Sequence, residues 1–219
     1  MNRSTLGRSW HTATFAVASV ALVLQLVLIV AGQTVLSDAG AQVATVERVR
    51  RFFCYFTIQS NLLVAVSMWL VLRERTGTRL FRALRLASLV GITVTGVVAA
   101  VALPPSPLYS PLNLLCDRLL HIVVPVLTLV GWLAFGPRDR VARDDVLPAL
   151  AWPIAWLVAT LALGPLVDWY PYPFLDVATI GLGAALLNCA VIAVLFIALA
   201  SCAVWADRRL SRSRATMSP

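Results

Sequence analysis

The sequence predicts an all-α integral membrane protein, a six-transmembrane-helix bundle with both termini cytoplasmic. Three observations carry that prediction. Of the 219 residues, 60% are hydrophobic and only 13% charged, too few charges to coat a soluble domain of this length. Six apolar runs, at about 12–33, 53–72, 84–103, 118–135, 147–166 and 179–203, each approach the ~20 residues that cross a bilayer. The arginines are divided unevenly between the two sides. Fourteen fall with the N-terminal segment (Arg3, Arg8), the second connection and its flank (Arg73, Arg75, Arg79, Arg82, Arg85), the fourth connection (Arg138, Arg140, Arg143) and the tail (Arg208, Arg209, Arg212, Arg214). The other four are Arg48, Arg50, Arg51 and Arg118, and the larger set marks the cytoplasmic side.

The first run exceeds the ~7–15-residue core of a signal peptide, and no small-residue cleavage site follows it, so it reads as a retained span. The aqueous connections are short. Residues 1–205 therefore form a single transmembrane domain, followed by a basic tail, 206–219, expected to be disordered. All 18 basic residues are arginine, which we read as the codon usage of a GC-rich bacterium and hence a bacterial inner membrane. The net charge of +8 then reflects topology rather than nucleic-acid binding, and the expected partners are membrane lipids or a lipid-like substrate. Cys54, Cys116, Cys189 and Cys202 lack metal-site spacing, and His11 and His121 are far apart. No metal or other cofactor is expected. Gln25 and Asn188, near the middle of spans one and six, read as interhelical hydrogen-bonding partners. Pro153 and Pro165 shape span five.

Two polar clusters interrupt the apolar spans. Asp117-Arg118-Leu119-Leu120-His121, followed by Pro125, opens span four. Ionisable groups within a span are costly and usually functional. Asp117 and His121 share a helix face, and Pro125 cannot donate to the His121 carbonyl, which predicts a bend. The second cluster opens span two, where Thr57, Ser60 and Asn61 follow i, i+3, i+4 spacing and Gln59 lies between them. On spacing alone, Ser, Thr and Asn here are ordinary interhelical glue. They equally suit a hydroxyl nucleophile with nearby groups for an oxyanion. A lone histidine can likewise be a packed hydrogen-bonding partner, or a general base near neutral pH, with Asp117 holding its proton. Asp117 and Arg118 also suit a helix start in their own right. Thr57 and His121 each lie about one turn below the outer surface, at matching depth.

Phe56-Thr57-x-x-x-Asn61-Leu62, His121 with Pro125, and Tyr170-Pro171-Tyr172-Pro173-Phe174-Leu175 together resemble the androgen-induced membrane protein family. That family includes eukaryotic hydrolases of fatty acid esters of hydroxy fatty acids. The resemblance covers nearly the whole chain in span number and motif order. It implies a six-span fold, a threonine nucleophile at Thr57 and a histidine partner at His121. Asp117 departs from the eukaryotic pattern, which has Asn there. The implied activity is acyl transfer from a lipid ester to Thr57 and then to water. Asn61, Ser60 or Gln59 are candidate oxyanion donors, and Arg51, Arg118 and Tyr172 candidate substrate-binding residues.

Arg50, Arg51 and Arg118 can hold a fatty acid carboxylate, or simply snorkel to headgroups. Cys54 and Cys116 lie at the same level, where a disulfide would tie the mouths of spans two and four. Two free thiols are the simpler alternative. The connection Asp168–Asp176 reads as an external aromatic belt, as a lid, or as both. The alternative function is non-enzymatic binding or transport of a lipid or small molecule in the same polar pocket. A single haem on His121 lacks an evident second ligand.

Overall fold

The computed structural model describes residues 3–33, 43–103, 109–138 and 141–215. Among them the chain is helical, without a β-strand. Five helical stretches are long and apolar enough to cross a membrane, and a sixth forms if one bent pair is taken as a single span. Helix α1 covers Arg3–Val30. The bent pair is α2, Thr45–Cys54, and α3, Phe56–Leu72. The two meet at 66°. The span predicted from 53 therefore starts at Phe56, because Tyr55 adopts extended backbone (φ −67°, ψ 128°). α2 stays outside the apolar run. It carries Glu47, Arg48, Arg50 and Arg51, and Arg48 binds the end of α1 through the Ile29 carbonyl (3.0 Å).

Helix α4 spans Arg79–Ala102, with the Thr78 hydroxyl capping it at the Phe81 N–H (3.0 Å). The fourth span starts earlier than predicted. α5, Pro111–Arg118, begins with the Ser110 hydroxyl accepting from Asn113 N and with proline at a first-turn position, both strong helix-start devices. It continues through a π-helical turn, Leu119–Val123, into α6, Val124–Phe135. The π turn answers Pro125. With no N–H there for the His121 carbonyl, the chain widens, and Val124 N donates to Leu119 O.

A 3₁₀ turn, Arg143–Asp145, leads into α7, Val146–Val167, which contains Pro153 and Pro165. The sixth span was predicted from 179. Residues Val177–Ile180 instead make a short helix, α8, capped by the Asp176 carboxylate. Gly181 at φ 80° breaks the chain, and α9 runs Leu182–Ala215. The basic segment expected to be disordered from 206 is thus helical as far as Ala215. It contains no glycine or proline before Pro219, and extending an existing helix needs no new nucleus. The rest of that tail, 216–219, lies outside the described residues, as does Arg140.

Helices α1, α3, α4 and α6 pack against one another, and α7 and α9 lean on α4 from outside. The apolar window of α4 is 56% buried, against 11% and 17% for α7 and α9, which makes α4 central and the other two peripheral. At one end of the bundle, Arg8 pairs with Glu74 (3.9 Å) and Arg82 with the buried Asp145 (3.2 Å). The start of α1, the α3–α4 connection and the α6–α7 connection therefore lie together. Near that end the fully buried Arg85 donates to the Ser67 hydroxyl and the Gly136 carbonyl, each at 3.3 Å. Thr57, His121 and the connection between α7 and α8 gather at the opposite end.

Candidate active site

Thr57 is the second residue of α3, just past the break at Tyr55. A helix leaves its first N–H groups without intrahelical partners, and here the Thr57 N–H donates to Tyr172 Oη at 3.1 Å. The Thr57 hydroxyl, on a side chain buried to 8% exposure, lies 3.1 Å from His121 Nε2 and 3.2 Å from Tyr172 Oη. His121 sits in the middle of the π turn. Its Nδ1 is 2.9 Å from Asp117 Oδ1 and 3.1 Å from the Asp117 carbonyl.

One order of protons satisfies all of these contacts. A carboxylate accepts only, so Nδ1 carries the hydrogen and Nε2 is the acceptor. Thr57 then donates its proton to Nε2. Tyr172, whose oxygen already accepts from the Thr57 N–H, donates to Thr57 Oγ1. The line Tyr172, Thr57, His121, Asp117 is the arrangement of an activated hydroxyl, with base and orienting acid in sequence.

The side chains expected to supply oxyanion donors face elsewhere. Ser60 Oγ bonds the Thr57 carbonyl (3.0 Å) and pairs with Thr95 Oγ1 (2.7 Å). Asn61 Nδ2 donates to the carbonyls of Thr57 (2.8 Å) and Leu120 (3.3 Å). It thereby ties the helix that carries Thr57 to the turn that carries His121. Gln59 donates to Phe53 O (2.9 Å) and accepts from Trp152 Nε1 (2.7 Å). Ser60 and Asn61 hold the Thr57 backbone in place, and Gln59 ties α3 to Phe53 and Trp152.

Tyr172 is the group the sequence placed only loosely. The connection after α7 tucks Trp169, Tyr170, Tyr172 and Leu175 into the interior and sets Tyr172 against Thr57. Tyr172 stacks on Phe174 (centroids 5.2 Å apart, planes 4°) and meets Tyr55 edge-on (5.8 Å). Asn188 fixes the Phe174 carbonyl (3.0 Å). Burial pushes the Tyr172 phenol above its ordinary value, opposed by its hydrogen bonds to Thr57, so it remains a proton donor. The signal available in the sequence was the twice-repeated Tyr-Pro, which stiffens the segment.

The predicted cations lie outside this arrangement. Arg50 grips Glu47 with both nitrogens (2.6 and 2.5 Å), and Arg51 Nε joins them at 2.8 Å. Both guanidinium groups lie over the Trp169 ring, at 5.7 and 5.1 Å, a cation–π clamp on the aromatic connection. Hydrogen bonding to Arg50 lowers Glu47 to about 2. Arg118 is exposed on α5. The Cys54–Cys116 disulfide is not formed. Both thiols are free, Cys54 beside the Arg50 guanidinium (3.7 Å) and Cys116 fully buried. Gln25 and Asn113 bond across α1 and α5 (3.1 Å).

Two cavities meet at Thr57 and share it with Leu103 and Tyr172. The larger, about 160 Å³, lies among α3, α4, α7 and α9 and is lined by Phe56, Val98, Leu150, Leu157, Ile192 and Phe196 among others. The smaller, about 80 Å³, is lined by His121, Asp117, Gln25, Asn113 and Tyr109 together with Phe52, Tyr55 and Ile58. Among the described residues no arginine lines either cavity. Among the described residues no three His, Cys, Asp or Glu side chains are placed to share a metal ion. Comparisons with protein families, with curated proteins and with solved structures find no match to this chain.

Proposed function

We propose that this protein is an intramembrane ester hydrolase of a bacterial inner membrane, with Thr57 as nucleophile and His121 as general base. The observation that carries the reading is the 3.1 Å contact between Thr57 Oγ1 and His121 Nε2, with His121 Nδ1 held by Asp117 at 2.9 Å. An unassisted threonine hydroxyl is a poor nucleophile, and a positioned base is the standard remedy. The resemblance to a family of threonine hydrolases of fatty acid esters points the same way, and the apolar cavity beside Thr57 suits an acyl chain.

His121 Nε2 takes the Thr57 proton as Oγ1 bonds the ester carbonyl carbon. The tetrahedral oxyanion receives a hydrogen bond from Tyr172, whose oxygen is already polarised by the Thr57 N–H. The carbon–oxygen bond to the alcohol breaks, and the proton on Nε2 passes to the departing oxygen. A water then gives a proton to Nε2 and its oxygen to the acyl carbon. Thr57 Oγ1 leaves, recovers the proton, and the fatty acid is released. Asp117 is a positioning residue that holds the imidazole in the required tautomer.

The division of fourteen arginines against four supports cytoplasmic termini. That orientation puts Thr57 about one turn below the outer interface, where lipid tails and water are both within reach. The test is labelling of the purified protein with a fluorophosphonate, comparing wild type with Thr57→Ala and His121→Ala. Wild type is expected to label and both variants to lose it. Labelling that persists in Thr57→Ala refutes the nucleophile. A folded wild type that never labels moves the reading to lipid binding or transport.

A further inference from the structure

Hydrolysis at Thr57 requires the ester to straddle the nucleophile, and the two cavities that meet there differ in character. Which half of the ester enters which cavity follows from proton transfer. The nitrogen that takes the Thr57 proton must return it to the oxygen of the departing alcohol. That oxygen therefore leaves beside His121 Nε2. His121 lines the smaller cavity and not the larger one. The alcohol belongs in the smaller cavity and the acyl chain in the larger.

The walls agree with this division. The larger cavity is apolar, and at its mouth Ile154 of α7 and Ile197 of α9 are 54% and 55% exposed. It thus opens between the two peripheral helices onto the greasy outside of the bundle. Its volume of about 160 Å³ is close to the ~150 Å³ that houses a benzene ring. The first few acyl carbons fit inside, and a longer tail emerges into lipid. The smaller cavity has polar walls in Gln25, Asn113 and Tyr109, and its ionisable lining groups are Asp117, His121 and the two tyrosines, Tyr55 and Tyr109, beside Tyr172 at the partition. An alcohol bearing a carboxylate would face Asp117, with no arginine among the described residues of the cavity wall. At about 80 Å³, it has half the volume of the larger cavity and suits the smaller of the two groups.

Resting on the hydrolase reading above, we propose that the substrate joins an apolar acyl chain, drawn from lipid between α7 and α9, to a small uncharged polyol of the glycol or glycerol kind. Esters of hydroxy acids, whose alcohol half carries a carboxylate, are the disfavoured class.

The experiment uses the purified full-length protein in lipid nanodiscs and three octanoyl esters, whose alcohols are glycerol, a short hydroxy acid and a long-chain alkanol. Release of octanoate is read as kcat/KM, with Thr57→Ala as the background. The glycerol ester is expected to exceed each of the others by about tenfold or more, the direction set by like-charge repulsion and by size. In Ile192→Trp, whose indole fills the larger cavity, preference should move from octanoyl toward acetyl while the order of alcohols stays the same. A hydroxy acid ester that equals or exceeds the glycerol ester overturns the inference and leaves the hydrolase reading standing. A change of alcohol order in Ile192→Trp shows the two cavities reversed, which also overturns it. If wild type hydrolyses none of the three, the hydrolase reading falls and the inference with it. The comparison of alcohols in wild type stands even if Ile192→Trp does not fold.

Discussion

Replacing Tyr172 by phenylalanine removes one oxygen and leaves the ring. The lost contacts are those to Thr57 N (3.1 Å) and Thr57 Oγ1 (3.2 Å). The stacking on Phe174 and the edge contact with Tyr55 remain, so the connection keeps its course. The ground state loses a buried hydrogen bond, and the Thr57 N–H is left unpaired, at about 1–3 kcal/mol of stability. The transition state loses its oxyanion donor, which is expected to lower kcat by about 10²–10³, or roughly 2.7–4 kcal/mol of barrier. A donor that acts only as charge develops leaves KM within about threefold. The assay is Thr57-dependent ester hydrolysis by purified wild type and Tyr172→Phe, with single-turnover measurement of acyl-threonine formation and thermal unfolding alongside. A folded variant with kcat within about threefold of wild type refutes Tyr172 as the donor. A rise in KM with kcat preserved would make Tyr172 a substrate contact only.

Three further perturbations test the supports of the site. Gly164→Ala places a Cβ 2.2 Å from the Tyr170 ring, so the buried connection must shift. Overpacking of this kind destabilises by about 1–3 kcal/mol, and activity should fall along with the unfolding temperature. Gly96→Ala puts a Cβ 3.2 Å from the His121 carbonyl oxygen, pushing the π turn by a few tenths of an ångström. The expected result is a fall in kcat of up to about tenfold at unchanged KM. Glu47 titrates at about 2 because Arg50, with Arg51, holds it ionised. Its folded value lies below its unfolded one, so its contribution is present above the ordinary carboxylate value and is lost as pH falls through about 2. Thermal unfolding of wild type should therefore weaken between about pH 5 and pH 2. Glu47→Gln should weaken less over that window, and equal slopes would refute the pairing.

The helices were legible because apolar runs of bilayer length leave few alternatives. The pairing of Thr57 with His121 was legible too, since both fall about one turn into spans two and four, which start from the same side and run parallel. For Ser60 and Asn61 the reading as interhelical glue holds, but the sequence did not choose between it and an oxyanion role. A polar side chain at the right spacing donates to whatever carbonyl is nearest, and only the packed helices show that these donors already serve Thr57, Leu120 and Phe53. Tyr172 was named only as a candidate substrate contact, and its bonds to Thr57 were not legible because an aromatic, proline-rich connection reads the same whether it lies on the surface or folds inward. That Glu47 and Trp169 hold Arg50 and Arg51 was not legible, because a sequence does not reveal which partners a guanidinium meets. The break at Tyr55 was missed because Phe-Cys-Tyr-Phe carries neither glycine nor proline to mark it.

The π turn at Leu119–Val123 governs more than the aim of His121. Asn113 and Trp132 are both buried on the inner side of their span, yet on a uniform α-helix they would point about 100° apart. The turn absorbs one surplus residue, close to that angle, and so cancels the drift. Asn113, Cys116, Leu120, Val124, Thr128 and Trp132 all stay inward and buried. In effect the span carries a phase correction at His121. Deleting a single residue there, such as Ile122, would leave a continuous helix in which only one half at a time faces the bundle. Either the histidine or the Trp132 end would then rotate toward lipid.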